Sequence, residues 1–398
     1  MNFDIHNGVF ENGIRTCNRC IMNSSVVGIE FDDDGVCNFC NMYNELETQY
    51  PLNHAGEQHL EAVLRKIRQD GREKNYDCII GVSGGTDSTF TLVRASELGL
   101  RPLAVHFDNG WNTEIAVRNI KNATDRLGVD LYTYVVNWNE FRDLQLSFLK
   151  ASVPEVELPT DLAIRSVLYR AAAREGIKYI IEGTSFRTEG VLPISWGYKD
   201  ARYLKSIHKM FGKVRLVTFP NLTLGDYFYF NFLKRIQLIR LLNYFPYSKE
   251  SAKEFLADKV GWVDYGGHHH ESVYTRFFQS YLAPQKFKMD RRLVSYSAQI
   301  HAGLKTKETA LREIALPICP QDIVEKDKAY IAKKLGLSLG ELENIIANRV
   351  KVFTDYPSYY PLIRRVRPLL NMLATRGWLS GFFQGVMTTK SGNTGKKT

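Results

Sequence analysis

The sequence lacks the long uncharged run that a membrane span requires. Its most apolar stretch outside the predicted strands, residues 227–247, is interrupted by Lys234 and Arg235 among other polar residues, so it never reaches the ~18 apolar residues of a spanning helix. The apolar core of a signal peptide is also missing, because Asp4 and Glu11 lie where that core would be. We therefore expect a cytoplasmic protein that does not insert into a membrane.

No single sign of charge dominates the 398 residues. The 52 basic and 43 acidic residues leave a net charge of +9, which suits nucleic acid, a membrane surface or a phosphorylated small molecule equally well. Charge alone therefore excludes none of these ligands. The apolar content of 44% allows a substantial core, and the length allows two or three domains.

Cysteine is scarce, and four of the six cysteines form two close pairs. Cys17 and Cys20, and then Cys37 and Cys40, are each separated by two residues. Two such pairs present four thiolates, which complete the tetrahedral shell of a structural Zn²⁺ ion and leave no open coordination position. The pattern predicts a zinc ribbon near the amino terminus, with an iron–sulfur cluster and a redox-active pair as the alternatives.

The most informative stretch is residues 81–89, which follows a short apolar run and reads Gly-Val-Ser-Gly-Gly-Thr-Asp-Ser-Thr. Two glycines between a strand and a helix let the backbone approach an anion, and the helix N-terminus supplies positive potential for phosphate. The stretch is neither a Walker loop nor a dinucleotide motif; it resembles the PP-loop of ATP pyrophosphatases. A plain glycine turn remains the alternative. The residues that we expect to bind ATP here are Ser83, Gly84, Gly85, Thr86, Asp87 and Ser88.

Strand and helix patterns alternate after the ribbon, which predicts an α/β fold with a parallel sheet. A connecting helix is predicted near residues 59–70, and two apolar stripes at helical spacing end near Gly128 and Gly176. The predicted strands are residues 77–82, 101–107, 130–136, 179–182 and 214–219.

Ligands of an open parallel sheet bind beyond the carboxyl ends of its strands. Asp108 and Asn109 follow the second predicted strand, where they could cover adenine and ribose, and Gly183 and Thr184 follow the fourth, where glycine permits close approach to the nucleotide. A capped turn is the alternative explanation for Asp108 and Asn109. A plain turn is the alternative for Gly183 and Thr184.

A basic strip follows an aromatic turn between residues 192 and 215. Its apolar and cationic residues recur at helical spacing on opposite faces, which predicts an amphipathic helix. The cationic face is either simply solvated or a clamp for an anionic substrate, with an aromatic ring stacking on a sugar or base. The candidate substrate-binding residues are Trp196, Tyr198, Arg202, Lys205 and Lys209.

Residues 264–271 combine two glycines, three histidines and two carboxylates. Adjacent histidines point in different directions, so general acid–base work or substrate hydrogen bonding by His269 or His270 with Glu271 is favoured over metal binding. An exposed loop is the alternative.

The four-cysteine ribbon together with residues 83–88, 108–112, 189–198 and 265–272 resembles the N-acetyl sugar amidotransferases of bacterial surface-polysaccharide and nonulosonic acid synthesis. The resemblance runs from about residue 17 to residue 317. It implies a PP-loop domain of the adenine nucleotide alpha-hydrolase-like type that uses ATP and Mg²⁺ to convert an acetamido group of an activated sugar into an acetamidino group.

The chemistry implied by the resemblance begins with transfer of AMP to the amide oxygen, after which ammonia displaces AMP. Asp87 and Ser88 would act at the phosphates, Asp87 as a candidate Mg²⁺ ligand. No residue pattern provides ammonia: residue 2 is Asn2, and neither Cys78 nor Cys319 has the context of a nucleophile. The resemblance therefore implies separate glutaminase and cyclase-like subunits as partners.

These patterns divide the chain into a ribbon segment, a PP-loop domain, a mostly helical substrate or partner region and a disordered tail. The predicted boundaries are 1–55, 56–225, 226–385 and 386–398. One rival function is a PP-loop tRNA-modifying enzyme, although nucleic acid is the less favoured partner. A second is a DNA-binding regulator, because residues 332–342 resemble the turn of a helix-turn-helix with Ser338 and Glu341 as a capping box.

Overall fold

A computed structural model describes residues 3–4, 9–10, 13–267 and 270–366 of the chain. Its strands are β1 (Phe3–Asp4), β2 (Val9–Phe10), β3 (Cys78–Gly81), β4 (Pro102–Asp108), β5 (Leu131–Val135), β6 (Tyr179–Glu182) and β7 (Gln237–Arg240). Its first nine helices are α1 (Asn38–Gln49), α2 (His54–Gly71), α3 (Thr86–Glu97), α4 (Glu114–Leu127), α5 (Trp138–Ala151), α6 (Leu158–Arg174), α7 (Phe186–Glu189), α8 (Ile194–Gly197) and α9 (Ala201–Phe211).

The remaining helices belong mainly to the carboxy-terminal half. They are α10 (Leu224–Phe228), α11 (Lys249–Val260), α12 (Val273–Phe277), α13 (Ala283–Phe287), α14 (Arg292–His301), α15 (Lys307–Ile314), α16 (Gln321–Leu335) and α17 (Leu339–Ala347). Tyr229–Leu233 and Phe278–Leu282 continue α10 and α12 with π geometry, and Leu241–Tyr244 and Phe353–Asp355 are 3-10 turns. The mostly helical carboxy-terminal region is confirmed as far as residue 366; the predicted tail at 386–398 lies outside the described residues.

The central sheet has five parallel strands in the order β5-β4-β3-β6-β7. The α/β prediction is therefore confirmed, with β3 in the middle. Ile79 on one face of β3 joins the core that includes α5 and α6, whereas Ile80 on the other face packs with α2 and α3. Helices thus cover both faces of the sheet, so the open crevices lie at the ends of the strands.

Four of the five strand predictions are confirmed within one or two residues, and the fifth is wrong. Residues 214–219 form no strand because carboxylates of α5 accept their backbone N–H groups: Asp143 Oδ2 lies 3.0 Å from Val214 N, and Glu140 Oε2 lies 2.8 Å from Phe219 N. The fifth strand is instead β7, paired in register with β6. The sheet therefore continues past the domain boundary that was predicted at residue 225.

The helix ends that the sequence predicts from local capping residues agree with the structure. Gly128 ends α4 in the left-handed conformation, and Ser338 forms the predicted capping box with Glu341 at the start of α17. Gly336 ends α16 in the left-handed conformation, so α16 and α17 are two helices joined by a glycine turn. Within residues 13–267 and 270–366, no helix is both long and apolar enough to span a bilayer.

The four paired cysteines converge near the amino terminus, and all are buried. Four of the six distances between their sulfur atoms are 3.4 to 3.8 Å, and all four atoms lie within 4.8 Å of one another. These distances are far longer than a disulfide bond and close to the ~3.8 Å between ligands of a tetrahedral zinc–thiolate site. The backbone N–H of Cys37 donates to Cys17 Sγ at 3.2 Å, and His301 Nε2 at the end of α14 lies 3.2 Å from Cys40 Sγ. The cluster can hold a metal ion and is consistent with a zinc ribbon.

Candidate functional site

The glycine-rich loop lies at the carboxyl end of β3, in the centre of the sheet, and leads directly into α3. Gly84 has a φ of +78°, and a side chain there would collide with the backbone of Ala116 in α4. A Cβ on Gly85 would lie 3.1 Å from both Glu271 Oε1 and Ser83 Oγ. Gly84 therefore requires glycine for its conformation and its packing on α4, and at Gly85 a side chain would crowd the Glu271 carboxylate.

Hydroxyl groups close the loop on itself. Ser83 Oγ lies 3.2 Å from Ser88 Oγ, and the N–H of Gly85 donates to Ser83 Oγ at 3.3 Å. On another side of the loop, Trp262 Nε1 donates to the carbonyl oxygen of Gly84 at 2.9 Å. These hydrogen bonds support the conformation of the loop, in which the two serine hydroxyls lie next to each other.

Asp87 in the first turn of α3 contacts two polar side chains from a distant part of the chain. Its carboxylate accepts a hydrogen bond from Tyr247 Oη and lies 3.0 Å from Lys249 Nζ at the start of α11. Burial opposes the charge of Lys249, yet the carboxylates of Asp87 and Glu189 raise its pKa above the ordinary value. Burial, with Asp87 nearby, likewise raises the pKa of Tyr247, so the group is an ion pair with a neutral phenol attached.

Sequence reasoning missed both Tyr247 and Lys249. Tyr247 lies in the connection between β7 and α11 and Lys249 is the first residue of α11, where no motif marks them; they reach Asp87 because α11 packs against α3. A lysine at the start of a helix is an ordinary surface feature in a sequence, so only the fold identifies it as a candidate site residue.

The segment that begins at Asp264 folds over the glycine-rich loop. Tyr265 Oη accepts a hydrogen bond from the backbone N–H of Thr86 at 3.2 Å, and Glu271 brings its carboxylate to Gly85. The Glu271 carbonyl also accepts from the N–H of Thr113 at 2.9 Å, which ties the segment to the loop after β4. Glu271 therefore lies at the loop, while its predicted partner His269 lies outside the described residues.

Asp108 and Asn109, which were predicted to cover the nucleotide, form hydrogen bonds with the backbone of the turn after β4. Asp108 Oδ1 accepts from the N–H of Gly110 at 2.8 Å, and Asn109 Oδ1 accepts from the N–H of Trp111 at 3.1 Å. Their side chains form the capped turn that was the alternative interpretation of this stretch. A nucleotide-binding role for them stays a prediction.

His106 in β4 is a second group that sequence reasoning missed. Its Nδ1 lies 2.8 Å from the carbonyl oxygen of Val82 and its Nε2 lies 3.1 Å from Asn112 Nδ2. Burial lowers its pKa, which keeps the imidazole neutral. The ring connects the strand that bears the glycine-rich loop to the turn after β4.

Gly183 and Thr184 follow β6 and behave differently from each other. A Cβ on Gly183 would lie 2.9 Å from the carbonyl oxygen of Asp87, so the close approach that glycine permits here is to the backbone of α3. Thr184 is exposed beside it. Gly183 thus sets the spacing between β6 and the glycine-rich loop, and contact with a nucleotide stays a prediction.

The aromatic residues of the predicted substrate clamp lie in the core. Trp196 is 5% exposed and Tyr198 is 2% exposed, and the Tyr198 ring stacks on Phe353 with 4.4 Å between centroids. Neither ring offers an open face for stacking on a sugar or base, which corrects the expectation drawn from the sequence.

The cationic residues of the same strip do lie on α9, which is amphipathic as predicted. The side chains of Arg202, Lys205 and Lys209 are exposed, while Leu204 and Ile207 are buried on the opposite face. The neighbours of α9 are α5 and α6. The structure therefore shows a solvated cationic face, and substrate binding by these three residues stays a prediction.

A five-stranded parallel sheet with a glycine-rich anion loop at its central carboxyl edge is the architecture of a nucleotide-binding α/β protein. Residues 271–368 match the family model described as the LPS biosynthesis protein WbpG-like C-terminal domain. This part of the chain is similar to that domain, in agreement with the resemblance to bacterial surface-polysaccharide proteins. The match begins at Glu271, the residue whose carboxylate meets the loop.

Two solved structures are similar to this chain at 13% sequence identity. A predicted subunit of a tRNA methyltransferase from Methanocaldococcus jannaschii aligns over 45% of this chain and 75% of its own, with a TM-score of 0.27. An NH3-dependent NAD synthetase from Campylobacter jejuni aligns over 71% of this chain and 96% of its own, with a TM-score of 0.29. No curated protein matches the sequence.

Proposed function

We propose that this chain is an ATP-dependent amidotransferase that converts the acetamido group of an activated sugar into an acetamidino group for bacterial surface polysaccharide. One observation carries the proposal: Glu271, where the WbpG-like part of the chain begins, approaches the loop that bears Asp87 and the two serines. The polysaccharide-related part and the anion loop thus contribute to one site.

The loop fits the phosphates of ATP. Gly84 and Gly85 leave the backbone uncovered, Ser83 and Ser88 offer hydroxyl donors, and the N-terminus of α3 adds positive potential. Glu271 would repel a bare phosphate at this position. Glu271 and Asp87 would hold Mg²⁺, which prefers carboxylate oxygens as ligands, and the ion would supply positive charge that offsets this repulsion.

The reaction needs an activated amide, because an amide oxygen is a poor leaving group. In the proposed sequence the amide oxygen attacks the α-phosphorus of ATP, the bond to the β-phosphate breaks, and pyrophosphate leaves with the proton lost from nitrogen. Ammonia then adds to the amide carbon, and the C–O bond breaks to release AMP. The acetamide oxygen ends in AMP, and the products are the amidine, AMP and pyrophosphate.

Lys249 has the role of balancing charge at the loop. Lys249 pairs with Asp87 at 3.0 Å, and its ammonium group would also stabilise the phosphate oxygens of bound ATP. Tyr247 holds the other oxygen of Asp87 and keeps the carboxylate oriented. Positive charge is then present where pyrophosphate departs.

Ammonia would come from separate glutaminase and cyclase-like subunits. Cys78 is fully buried in β3 and Cys319 is 6% exposed, and burial raises the pKa of both thiols, which leaves them without thiolate character. Neither cysteine has the surroundings of a glutaminase nucleophile, and the four others form the cluster that we propose holds structural Zn²⁺.

The deciding experiment supplies ATP, Mg²⁺, ammonium and acetamido sugars whose carbonyl carries heavy oxygen. We expect heavy oxygen in AMP, and a sugar product whose mass, for an unlabelled substrate, falls by about one dalton because NH replaces oxygen. The Asp87→Ala protein should fold normally and lose pyrophosphate release.

Three outcomes contradict the proposal. The first is pyrophosphate release that tRNA stimulates without any sugar, which would favour a tRNA-modifying enzyme. The second is ATP cleavage with every acetamido sugar unchanged. The third is full activity of Asp87→Ala, which would remove the loop from the reaction. Duplex DNA binding that survives the same substitution and weakens steeply with salt would instead indicate a regulator.

A further inference from the structure

A cluster of three charged side chains lies at the carboxyl edge of the sheet, on the face covered by α6. Glu182 and Arg240 are the last residues of β6 and β7 and face each other in register. Arg165 of α6 lies 3.0 Å from Glu182 Oε1, and Arg240 Nε lies 3.8 Å from Glu182 Oε2. We call these three residues the arginine cluster; two guanidinium groups share one carboxylate, so its net charge is +1.

The cluster is held firmly and is still reachable. The side chains of Arg165 and Arg240 are 36% and 30% exposed, whereas that of Glu182 is 14% exposed. One turn earlier on α6, Asp161 pairs with Lys199 at 2.6 Å. Lys199 therefore balances the charge of the nearest other carboxylate on α6.

The arginine cluster also adjoins the glycine-rich loop. Gly183 follows Glu182 directly, and a Cβ on Gly183 would lie 2.9 Å from the carbonyl oxygen of Asp87. Gly81, which ends β3 on the same face, has no side chain, and a Cβ there would meet only Leu168 of α6, at 3.3 Å. The crevice between α6 and the strand ends is the place where ligands of open parallel sheets bind.

We propose that Arg165 and Arg240 bind the anionic group of the acceptor sugar, either a phosphate or a carboxylate. The inference rests on the proposed function, because an acceptor held in this crevice lies on the α6 side of the loop that binds ATP. Guanidinium groups suit such an anion, since their planar donors can hold two oxygens at once. Glu182 is a positioning residue that keeps the two guanidinium groups side by side.

The basic face of α9 is the less suitable place for this group. Arg202, Lys205 and Lys209 project into solvent from one helix, where screening by water and salt makes single charges weak. The cations of the arginine cluster come from α6 and β7 and converge on one carboxylate. Their arrangement exists before the ligand arrives, which reduces the entropy cost of binding.

The test is calorimetric titration with three probes: neutral N-acetylglucosamine, N-acetylneuraminic acid with a carboxylate, and UDP-N-acetylglucosamine with a diphosphate. Each is titrated with and without Mg²⁺ and a nonhydrolysable ATP analogue. We expect at least one charged probe to bind about tenfold or more tightly than the neutral sugar, as a charged hydrogen bond allows. Which charged probe binds better distinguishes carboxylate from phosphate.

Arg165→Met and Arg240→Met should each abolish that preference while affinity for the ATP analogue is unchanged, and Arg165→Lys should retain part of it. The matched control is Arg170→Met, one turn further along α6, where the guanidinium bonds the backbone of Asn221; it should keep the full preference. Thermal unfolding of every variant checks the fold, and Arg240→Met serves alone if Arg165→Met does not fold.

Two results overturn the inference. One is equal affinity for charged and neutral probes in the native protein. The other is a preference for charged probes that survives in both methionine variants. If those variants instead bind the ATP analogue more weakly, the arginines bind the nucleotide and the inference is wrong. Failure of the analogue to bind the native protein would count against the proposed function, whereas the probe titrations without analogue still decide the arginine cluster.

Discussion

Positive charge occurs in two contrasting settings in this protein. On α9, Arg202, Lys205 and Lys209 come from one helix and face solvent. At the carboxyl edge of the sheet, Lys249 and Arg165 come from elements far apart in sequence, and each meets a carboxylate at 3.0 Å. The first arrangement is what amphipathic helix formation alone produces, because the buried face determines the helix and the exposed face is left polar.

The second arrangement needs a different explanation. Bringing charges out of water costs free energy, so cations that are partly buried beside carboxylates are retained only where the fold holds them in place. Lys249 and Asp87 have side chains that are 17% and 15% exposed. The paired, half-buried charges are therefore the better candidates for function, although the exposed ones are more conspicuous in the sequence.

We expect Lys249→Met to have the largest effect on the reaction. Loss of the ammonium group removes the charge that faces departing pyrophosphate, and we expect pyrophosphate release to fall by about 10²- to 10³-fold, the effect typical of removing one electrostatic stabiliser. Lys249→Arg should recover part of the rate, and steady-state kinetics should show the loss mainly in kcat.

Lys259→Met is the matched control for this substitution, since Lys259 lies on the same helix and pairs with Glu97 at 3.6 Å in an exposed position. It should keep native kinetics. Native turnover in Lys249→Met would mean that the buried pair serves stability alone.

Gly183→Ala tests the spacing between β6 and the loop, with an intermediate effect. The new Cβ would lie 2.9 Å from Asp87 O and 3.0 Å from Ser88 Cα, and backbone atoms can yield only if α3 shifts. We expect a loss of about 1–3 kcal/mol in the free energy of unfolding, together with a higher KM for ATP. Chemical denaturation and ATP titration measure the two effects.

Gly340→Ala is the control for Gly183→Ala, because Gly340 lies in α17 with nothing within 4 Å of an added Cβ. Replacing a helical glycine by alanine should raise stability by about 0.5–1 kcal/mol. If Gly183→Ala were equally harmless, the strand and the loop would not be coupled as the structure indicates.

The smallest effect should come from changing all three cations of α9 to glutamine. Substitutions at exposed positions usually alter stability by less than about 0.5 kcal/mol, and the Arg202 guanidinium makes only a distant contact, 5.8 Å from the centroid of the Tyr359 ring. We expect kcat and KM to stay within about twofold of the native values, because exposed charges contribute little. A large rise in the KM of the sugar substrate would reverse the comparison and support the clamp that the sequence indicates.

The sequence predicts those parts of the structure that depend on local pattern. β3, β4, β5 and β6 are short apolar runs next to turn signals, and the cysteine spacing determines which four thiols converge. β7 is missed because the charged residues Lys234 and Arg235 come just before it and its four residues carry little signal of their own. Residues 214–219 have the composition of a strand, but Glu140 and Asp143 take the hydrogen bonds that a neighbouring strand would need.

The residues of the candidate site also fall into two groups, those that a local motif identifies and those that only the fold identifies. Ser83 through Ser88 are recognisable because one continuous loop supplies the glycines and hydroxyls. Tyr247, Lys249 and Arg165 carry no local signal, since their roles arise from contacts with Asp87 and Glu182 across long separations in the chain. Pairwise partners of this kind become visible only when the sheet order and the helix packing are known.

The position of Tyr247 in the chain also has a consequence for synthesis on the ribosome. It is separated from Asp87 by 160 residues, and at 5–20 residues per second the ribosome needs roughly ten to thirty seconds to cover that distance. During this interval the nascent glycine-rich loop is present without Tyr247 or Lys249. The contacts of Asp87 with Tyr247 and Lys249 can therefore form only late in translation, after the residues of β7 have been synthesised.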